Sequence, residues 1–171
     1  MKEKIVLIDG CRTPFLKSET DFIDTMTYEL GQLAISGLIN KTGINPNLVD
    51  SVIMGCVIST LKTSNLAREA ALSAGIPNTT PCHTVSQACI SANRAIATAV
   101  AEIATGQSSI VIAGGADSAS ETPIGYKKKM RKKLMKGNKI RSTSDMLKFA
   151  LSFRIKDFLP EIPDISEFTT D

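Results

Sequence analysis

The sequence predicts an α/β protein in which helices cover a mainly parallel sheet. Three observations predict it. Near-continuous apolar runs read as strands buried on both faces, as parallel strands are: Ile5-Val6-Leu7-Ile8, Ser51-Val52-Ile53-Met54-Gly55-Cys56-Val57-Ile58 and Ser109-Ile110-Val111-Ile112-Ala113-Gly114-Gly115. The segments between them place apolar residues at helical spacing. Those segments stop on glycine, at Gly43, Gly75 and Gly106.

Taken in order, Ile5 to Ile8 is the first predicted strand, followed by the loop Asp9-Gly10-Cys11-Arg12-Thr13-Pro14-Phe15. Asp24 or Thr25 is expected to cap a helix through about Lys41, with Met26, Leu30, Leu33, Ala34 and Leu38 on one face. Asn45-Pro46 reads as an N-cap with proline in the first turn of a short helix. The second strand follows. Ser64 is expected to cap a helix over 65–74, and a long helical run over 93–105 comes next, with Ser86 as its N-cap. The third strand leaves through Gly114-Gly115. The expected order is β-α-α-β-α-α-β.

Cys89 stands out in this arrangement. With Ser86 as cap, it would lie in the first turn of the helix, where free amides and the helix dipole favour a thiolate. The helix behind it is apolar on nearly every face, which predicts a buried helix. Free cysteine is also a common small core residue, so the local pattern alone leaves structural and catalytic roles open.

Composition narrows the classes. The 171 residues are 43% hydrophobic and 22% charged, ordinary for a globular domain. The four cysteines, Cys11, Cys56, Cys82 and Cys89, form no C-x-x-C pair and accompany a single histidine, His83, which disfavours a zinc site. They are too few for a disulfide framework, which favours a reducing compartment. No apolar run approaches the ~18 residues of a membrane span, and Met1-Lys2-Glu3-Lys4 resembles neither a signal nor a transit peptide. A cytoplasmic location is expected, or a mitochondrial one if a presequence has been removed. Net charge is +3, but residues 127–141 hold nine of the 20 basic residues and no acid. The remainder carries 11 basic residues against 17 acidic ones, a balance of −6. Beyond Asp117 no strand of comparable strength follows, and 158–164 is proline-rich. Three strands are few for a doubly covered sheet, so the core reads as incomplete.

Four ordered motifs now coincide: Arg12-Thr13-Pro14-Phe15, Asn65-Leu66-Ala67-Arg68-Glu69, Val85-Ser86-Gln87-Ala88-Cys89 and Ala113-Gly114-Gly115-Ala116-Asp117-Ser118. Together they resemble the N-terminal part of thiolases, above all the thiolase subunits of fatty-acid oxidation complexes. Those subunits carry a basic insertion and a proline-rich stretch that residues 127–141 and 158–168 resemble. The resemblance implies a thiolase-like layered core of which this is the N-terminal half. It places a partial core at 1–119 and the start of an inserted loop domain at 120–171.

It further implies that Cys89 is the acyl-accepting nucleophile of a 3-ketoacyl-CoA thiolase, with coenzyme A as substrate and no bound cofactor or metal. A homodimer and a hydratase/dehydrogenase α subunit are the implied protein partners. Lys128, Lys129, Arg131, Lys132 and Lys133 would face an anionic membrane or the CoA end, not nucleic acid, since no aromatic residue interleaves them. Ser86 and Ala92 stand where thiolases often have Asn and Gly. Ala116 and Ala119 stand where many have Met near the acyl pocket. The other catalytic groups of thiolases, two histidines and a second cysteine, belong to the C-terminal half, and His83 matches none of them. A structural hydrogen-bonding role is therefore favoured for His83, and no turnover is expected from this segment alone. Two further readings stand beside this one: a ketoacyl-synthase-like condensing enzyme, and a non-catalytic basic protein that binds membranes.

Overall fold

A computed structural model describes residues 4–60 and 62–161. The chain divides into two compact units, Met1–Pro123 and Ile124–Asp171.

The first unit is built on three parallel strands in the order β2-β1-β3: β1 (Ser51–Gly55), β2 (Cys82–Val85) and β3 (Val111–Gly115). Every residue of β1 is buried, as its unbroken apolar run predicts. Its side chains alternate between two cores. Val52 and Met54 pack with Ile35, Leu66, Ala67, Ala70 and Ala71 on one face. Ile53 packs with Ala95 and Ala99 on the other. The first face is covered by α1 (Thr27–Thr42) and α2 (Leu66–Ser73), and the second by α3 (Ser91–Ala104). The unit is thus a three-layer α/β/α sandwich, the class that the sequence predicts.

Two of the expected strands are present, both shortened: β1 is buried throughout, but β3 is an edge strand of the three in which Ile112 alone is buried. The third is a different segment. Ile5 to Ile8 forms no strand, and Val6, Leu7 and Ile8 are 69%, 84% and 81% exposed. Apolarity creates a demand for burial, but a strand also needs a neighbour with free backbone groups. Cys82–Val85 takes that place beside β1, in the register Val52↔Cys82 to Gly55↔Val85. Its sequence, Cys-His-Thr-Val, carries no apolar run, because it is a half-buried edge strand fixed by pairing.

Helix ends also depart from expectation. α1 is capped at Met26, where neither Asp24 nor Thr25 takes part. The Glu29 carboxylate accepts the Met26 N–H at 2.7 Å, and Glu121 accepts both the N–H and the hydroxyl of Thr27 at 2.7 and 2.9 Å. Two carboxylates thus sit at a helix N-terminus, where negative charge is favourable. Gly43 closes the helix with φ 66°, donating to the Ile39 carbonyl. α2 is capped by Asn65, not Ser64. The Asn65 side chain accepts the Arg68 N–H and the Thr84 hydroxyl and donates to the Cys82 carbonyl, tying α2 to β2.

The second unit holds α4 (Lys128–Gly137), α5 (Thr143–Leu151) and a two-residue antiparallel pair, β4 (Gly125–Tyr126) with β5 (Pro160–Glu161). The basic helical stretch is α4, which ends at Gly137, four residues before the run of charge ends at Arg141, and α5 has no strong sequence signal. The expected proline-rich stretch lies outside the described residues from position 162 onward.

Candidate active site

The carboxyl ends of the three strands, Gly55, Val85 and Gly115, lie side by side in register. Ligand sites of open α/β sheets gather at this edge. Cys89 lies four residues beyond Val85, and the N-terminus of α3 is seated directly on the two glycines. A Cβ on Gly55 would come within 2.4 Å of the Ser91 carbonyl carbon and 2.5 Å of the Ala92 nitrogen. A Cβ on Gly115 would meet the Ala92 Cβ at 3.0 Å. Glycine is therefore required here for close approach of helix and sheet.

Cys89 does not occupy the first turn of α3. The helix begins at Ser91 with Ile90 as N-cap, and Cys89 precedes the cap in the turn formed by residues 87–90. Ser86 contributes no cap. The hydroxyl of Ser91 acts instead, from inside the helix back toward the turn. It accepts the Gln87 N–H at 2.8 Å and donates to the Ala88 carbonyl at 2.6 Å, while the Ser91 N–H reaches the same carbonyl at 3.1 Å. Ala88 is thereby kept at φ 46°, a left-handed conformation uncommon for a residue with a Cβ. Sequence reasoning missed Ser91. Its signal was a hydroxyl two residues beyond the cysteine, at the first helical position.

The helix behind the cysteine is buried along one stripe only. Ser91, Ala95 and Ala99, four residues apart, face the sheet, while Ile96 and Val100 are 43% and 44% exposed. The expectation of an all-round buried helix is not met within the described residues.

The four thiols differ in their surroundings. Cys89 and Cys11 are exposed, Cys82 is half-buried and Cys56 is buried. Burial, with Asp117 at 3.5 Å, pushes the Cys56 thiol up to about 12. Burial also raises the Cys82 thiol, against the opposing pull of Arg68. Asp117 is a structural anchor: its Oδ1 accepts the N–H groups of Val57 and Ile58, each at 2.8 Å. His83 lies in the middle of β2 opposite Ile53, half-buried. Among the described residues no group of three or more His, Cys, Asp or Glu side chains is placed to hold a metal. A cavity of about 400 Å³ lies at the same sheet edge, lined in part by Phe15, Phe22, Leu30, Gly115, Ala116 and Ala119.

Of the basic residues singled out, Lys133 turns inward. Its Nζ lies 2.6 Å from the buried Asp157 carboxylate and 2.6 Å from the Ser152 carbonyl, above the Phe153 ring. Arg131 pairs with Glu161 at 3.2 Å on the surface. Lys128, Lys129 and Lys132 remain exposed on α4, without an ion pair among the described residues.

The sequence and fold match known proteins. Residues 5–154 match the family model described as thiolase, N-terminal domain. The trifunctional enzyme subunit beta of Bos taurus is 47% identical over 97% of this chain and 35% of its own length. The corresponding protein of Mus musculus is 44% identical over 99% and 36%, and the 3-ketoacyl-CoA thiolase of Yersinia pestis is 37% identical over 98% and 38%. The crystal structure of the Bacillus anthracis acetyl-CoA acetyltransferase superimposes with a TM-score of 0.61 at 33% identity, covering 64% of this chain and 28% of that one. The chain spans about a third of the length of the curated relatives it matches. With most of its residues inside the family match and its sheet in the thiolase arrangement, the chain belongs to the thiolase family.

Proposed function

We propose that this chain is the nucleophile-bearing portion of a 3-ketoacyl-CoA thiolase of fatty-acid oxidation, and that Cys89 is its acyl acceptor. One observation carries the reading: Cys89 is an exposed thiol just past the carboxyl end of β2, on a turn that hydrogen bonds brace against the tip of α3, whereas the other exposed thiol, Cys11, lies on a loop with no such brace. The nearby helix N-terminus favours negative charge developing on an oxyanion. In the proposed reaction the Cys89 sulfur attacks the keto carbon of a 3-ketoacyl-CoA. The sulfur–carbon bond forms, and the bond between the α and β carbons breaks. Acetyl-CoA leaves with that electron pair and takes up a proton. Free CoA then gives its thiol proton to solvent and attacks the acyl-enzyme carbonyl as the thiolate, forming the shortened acyl-CoA and releasing the Cys89 thiolate. The Cys89 N–H is proposed to stabilise the oxyanion of the acyl-enzyme step. The cavity lined by Ala116 and Ala119 supports acyl-chain binding on this side of the sheet.

The remaining parts of the reading are proposals of the same kind. Coenzyme A is a substrate, and no metal or resident cofactor takes part. The half-buried edge strand β2 is a fitting surface for a second copy, as in a homodimer. Similarity to trifunctional subunits supports an α-subunit partner and a mitochondrial or bacterial cytoplasmic setting. The exposed cations of α4, with Met135 70% exposed beside them, suit an anionic membrane surface.

Time-resolved alkylation with iodoacetamide at neutral pH, read by peptide mass spectrometry, tests the nucleophile. Cys89 is expected to label faster than Cys11 and Cys82. Cys56 should stay unlabelled, since a thiol at about 12 is on the order of 0.001% ionised at pH 7. Equal rates at all four cysteines would remove the assignment. The activity itself is tested by thiolysis of acetoacetyl-CoA and a longer 3-ketoacyl-CoA by free CoA. The assay compares the chain alone with the chain supplemented by the C-terminal portion of a relative. Turnover is expected only in the second case.

A further inference from the structure

We propose that Ser91 is a positioning residue for Cys89, a role that rests on the reading of Cys89 as nucleophile. Three observations converge on its hydroxyl. Ser91 is 3% exposed, so the hydroxyl is withheld from water and committed to protein partners. Both of its hydrogen bonds go to the turn carrying the cysteine, accepting from Gln87 and donating to Ala88. Its backbone is pressed against Gly55, where no Cβ would fit, so its own position is fixed by the sheet. The hydroxyl thus transmits the rigidity of β1 to a turn that otherwise has little to hold it. Residues 86–90 are all exposed, and Ala88 must be kept left-handed.

Without the hydroxyl, the Gln87 N–H and one bond to the Ala88 carbonyl are lost, and Ala88 is free to return to a common backbone region. The sulfur and the Cys89 N–H then no longer hold one direction relative to the helix tip. Small misplacements of reacting groups cost rate without costing substrate affinity. Ser91 therefore acts on the rate constant for acyl transfer, not on acyl-CoA binding.

The role is separable from simple stability by a rescue. Ser91→Ala removes the clamp. Ser91→Thr restores a hydroxyl. Ala88→Gly in the Ser91→Ala background removes the strain that the clamp opposes, since glycine adopts φ 46° freely. Two readouts are followed in the four proteins, with folding monitored by circular dichroism. The first is alkylation of Cys89 by iodoacetamide relative to the exposed Cys11 in the same molecule. The second is acyl transfer from acetyl-CoA in the chain supplemented by the C-terminal portion of a relative. Ser91→Ala is expected to lower kcat about tenfold with KM unchanged, and to lower the Cys89/Cys11 labelling ratio. Ser91→Thr and the double variant are expected to recover most of both. A Ser91→Ala protein with unaltered labelling ratio and kcat overturns the proposal. So does a folded double variant that stays as slow as Ser91→Ala, because the hydroxyl would then act by some means other than holding the turn. If the unsubstituted protein is never acylated at Cys89, the thiolase reading falls, and the labelling ratio alone decides the role of Ser91.

Discussion

In the first unit, elements meet because atoms are missing. Gly31 lets α1 approach Ala70 of α2, where an added Cβ would lie 3.1 Å away, and Gly55 and Gly115 admit the tip of α3. The core behind them is small and aliphatic, with Ala67, Ala70, Ala71 and Ala95 fully buried. In the second unit, elements meet through charge and rings. Lys133 is closed on Asp157, the buried carboxylate of the described residues, and Phe149, Phe153 and Phe158 stack with centroids 4.8 and 5.6 Å apart. Gly137 also approaches Phe149 closely, but its neighbour is the far edge of a mobile ring, not backbone. The difference is one of sensitivity. Volume sets the tightest contacts of the first unit, and charge sets those of the second.

Gly55→Ala is expected to have the largest effect, because the clash is with the backbone of Ser91 and Ala92, which cannot rotate away. Overpacking of this kind costs about 3 kcal/mol. A thermal midpoint near that of the unsubstituted chain would break the comparison at its strongest point. Next comes membrane binding by the second unit. Lys128, Lys129 and Lys132 are exposed, and each cation near an anionic surface adds about 1 kcal/mol. Changing the three to Gln should abolish most co-sedimentation with phosphatidylserine vesicles, as should high salt. Lys133→Gln alone should change vesicle binding little, because that ammonium faces Asp157.

Asn65→Ala follows, at about 1–2 kcal/mol, for the loss of the α2 cap. The bonds to Thr84 and Cys82 go with it, so β2 should lose amide-exchange protection together with α2. Protection lost in α2 alone would show that the strand does not depend on that side chain.

The contrast also explains what could be read from the sequence. β1 was legible because a strand buried on both faces must be apolar throughout, and β3 carries a similar apolar run although it lies at the edge with Ile112 alone buried. Gly43 and the Asn45-Pro46 turn were legible because backbone conformation selects residue type locally. Cys82–Val85 was not, since its place comes from pairing with residues about thirty positions earlier. Nor was the failure of Ile5 to Ile8 to join the sheet, for the same reason. Cys89 was singled out from its neighbours in sequence, though its expected place in the first helical turn was not met. The clamp from Ser91 was missed because a serine at the first helical turn is ordinarily read as capping forward from outside the helix, and here the hydroxyl points back. The inward turn of Lys133 was hidden inside a run of like residues, and only its partner 24 positions later distinguishes it.

The smallest expected effect is the acid sensitivity of α5 in the second unit. The Lys133 ammonium, and then the Arg154 N–H, hold the Asp157 carboxyl below its ordinary value of 3.8, with Lys129 adding to the same direction. A carboxyl whose folded value is depressed binds fewer protons in the folded state than in the unfolded one. Its contribution is therefore complete above pH of about 4 and is lost as pH falls through the folded value. Amide exchange of α5 and of the turn at Ile155–Phe158 should rise below pH of about 4, after correction for intrinsic exchange. In the first unit the Ile110 and Ser109 N–H groups likewise hold the Asp50 carboxyl below its ordinary value, next to β1, whereas α2 has no such group, so α2 should keep its protection over the same range. Asp157→Asn should flatten the response of α5 while lowering its protection at neutral pH, since the lysine is then left without its counter-charge. Equal acid responses in α5 and α2 would show that the two units unfold together, and the division between a steric core and an electrostatic one would not stand.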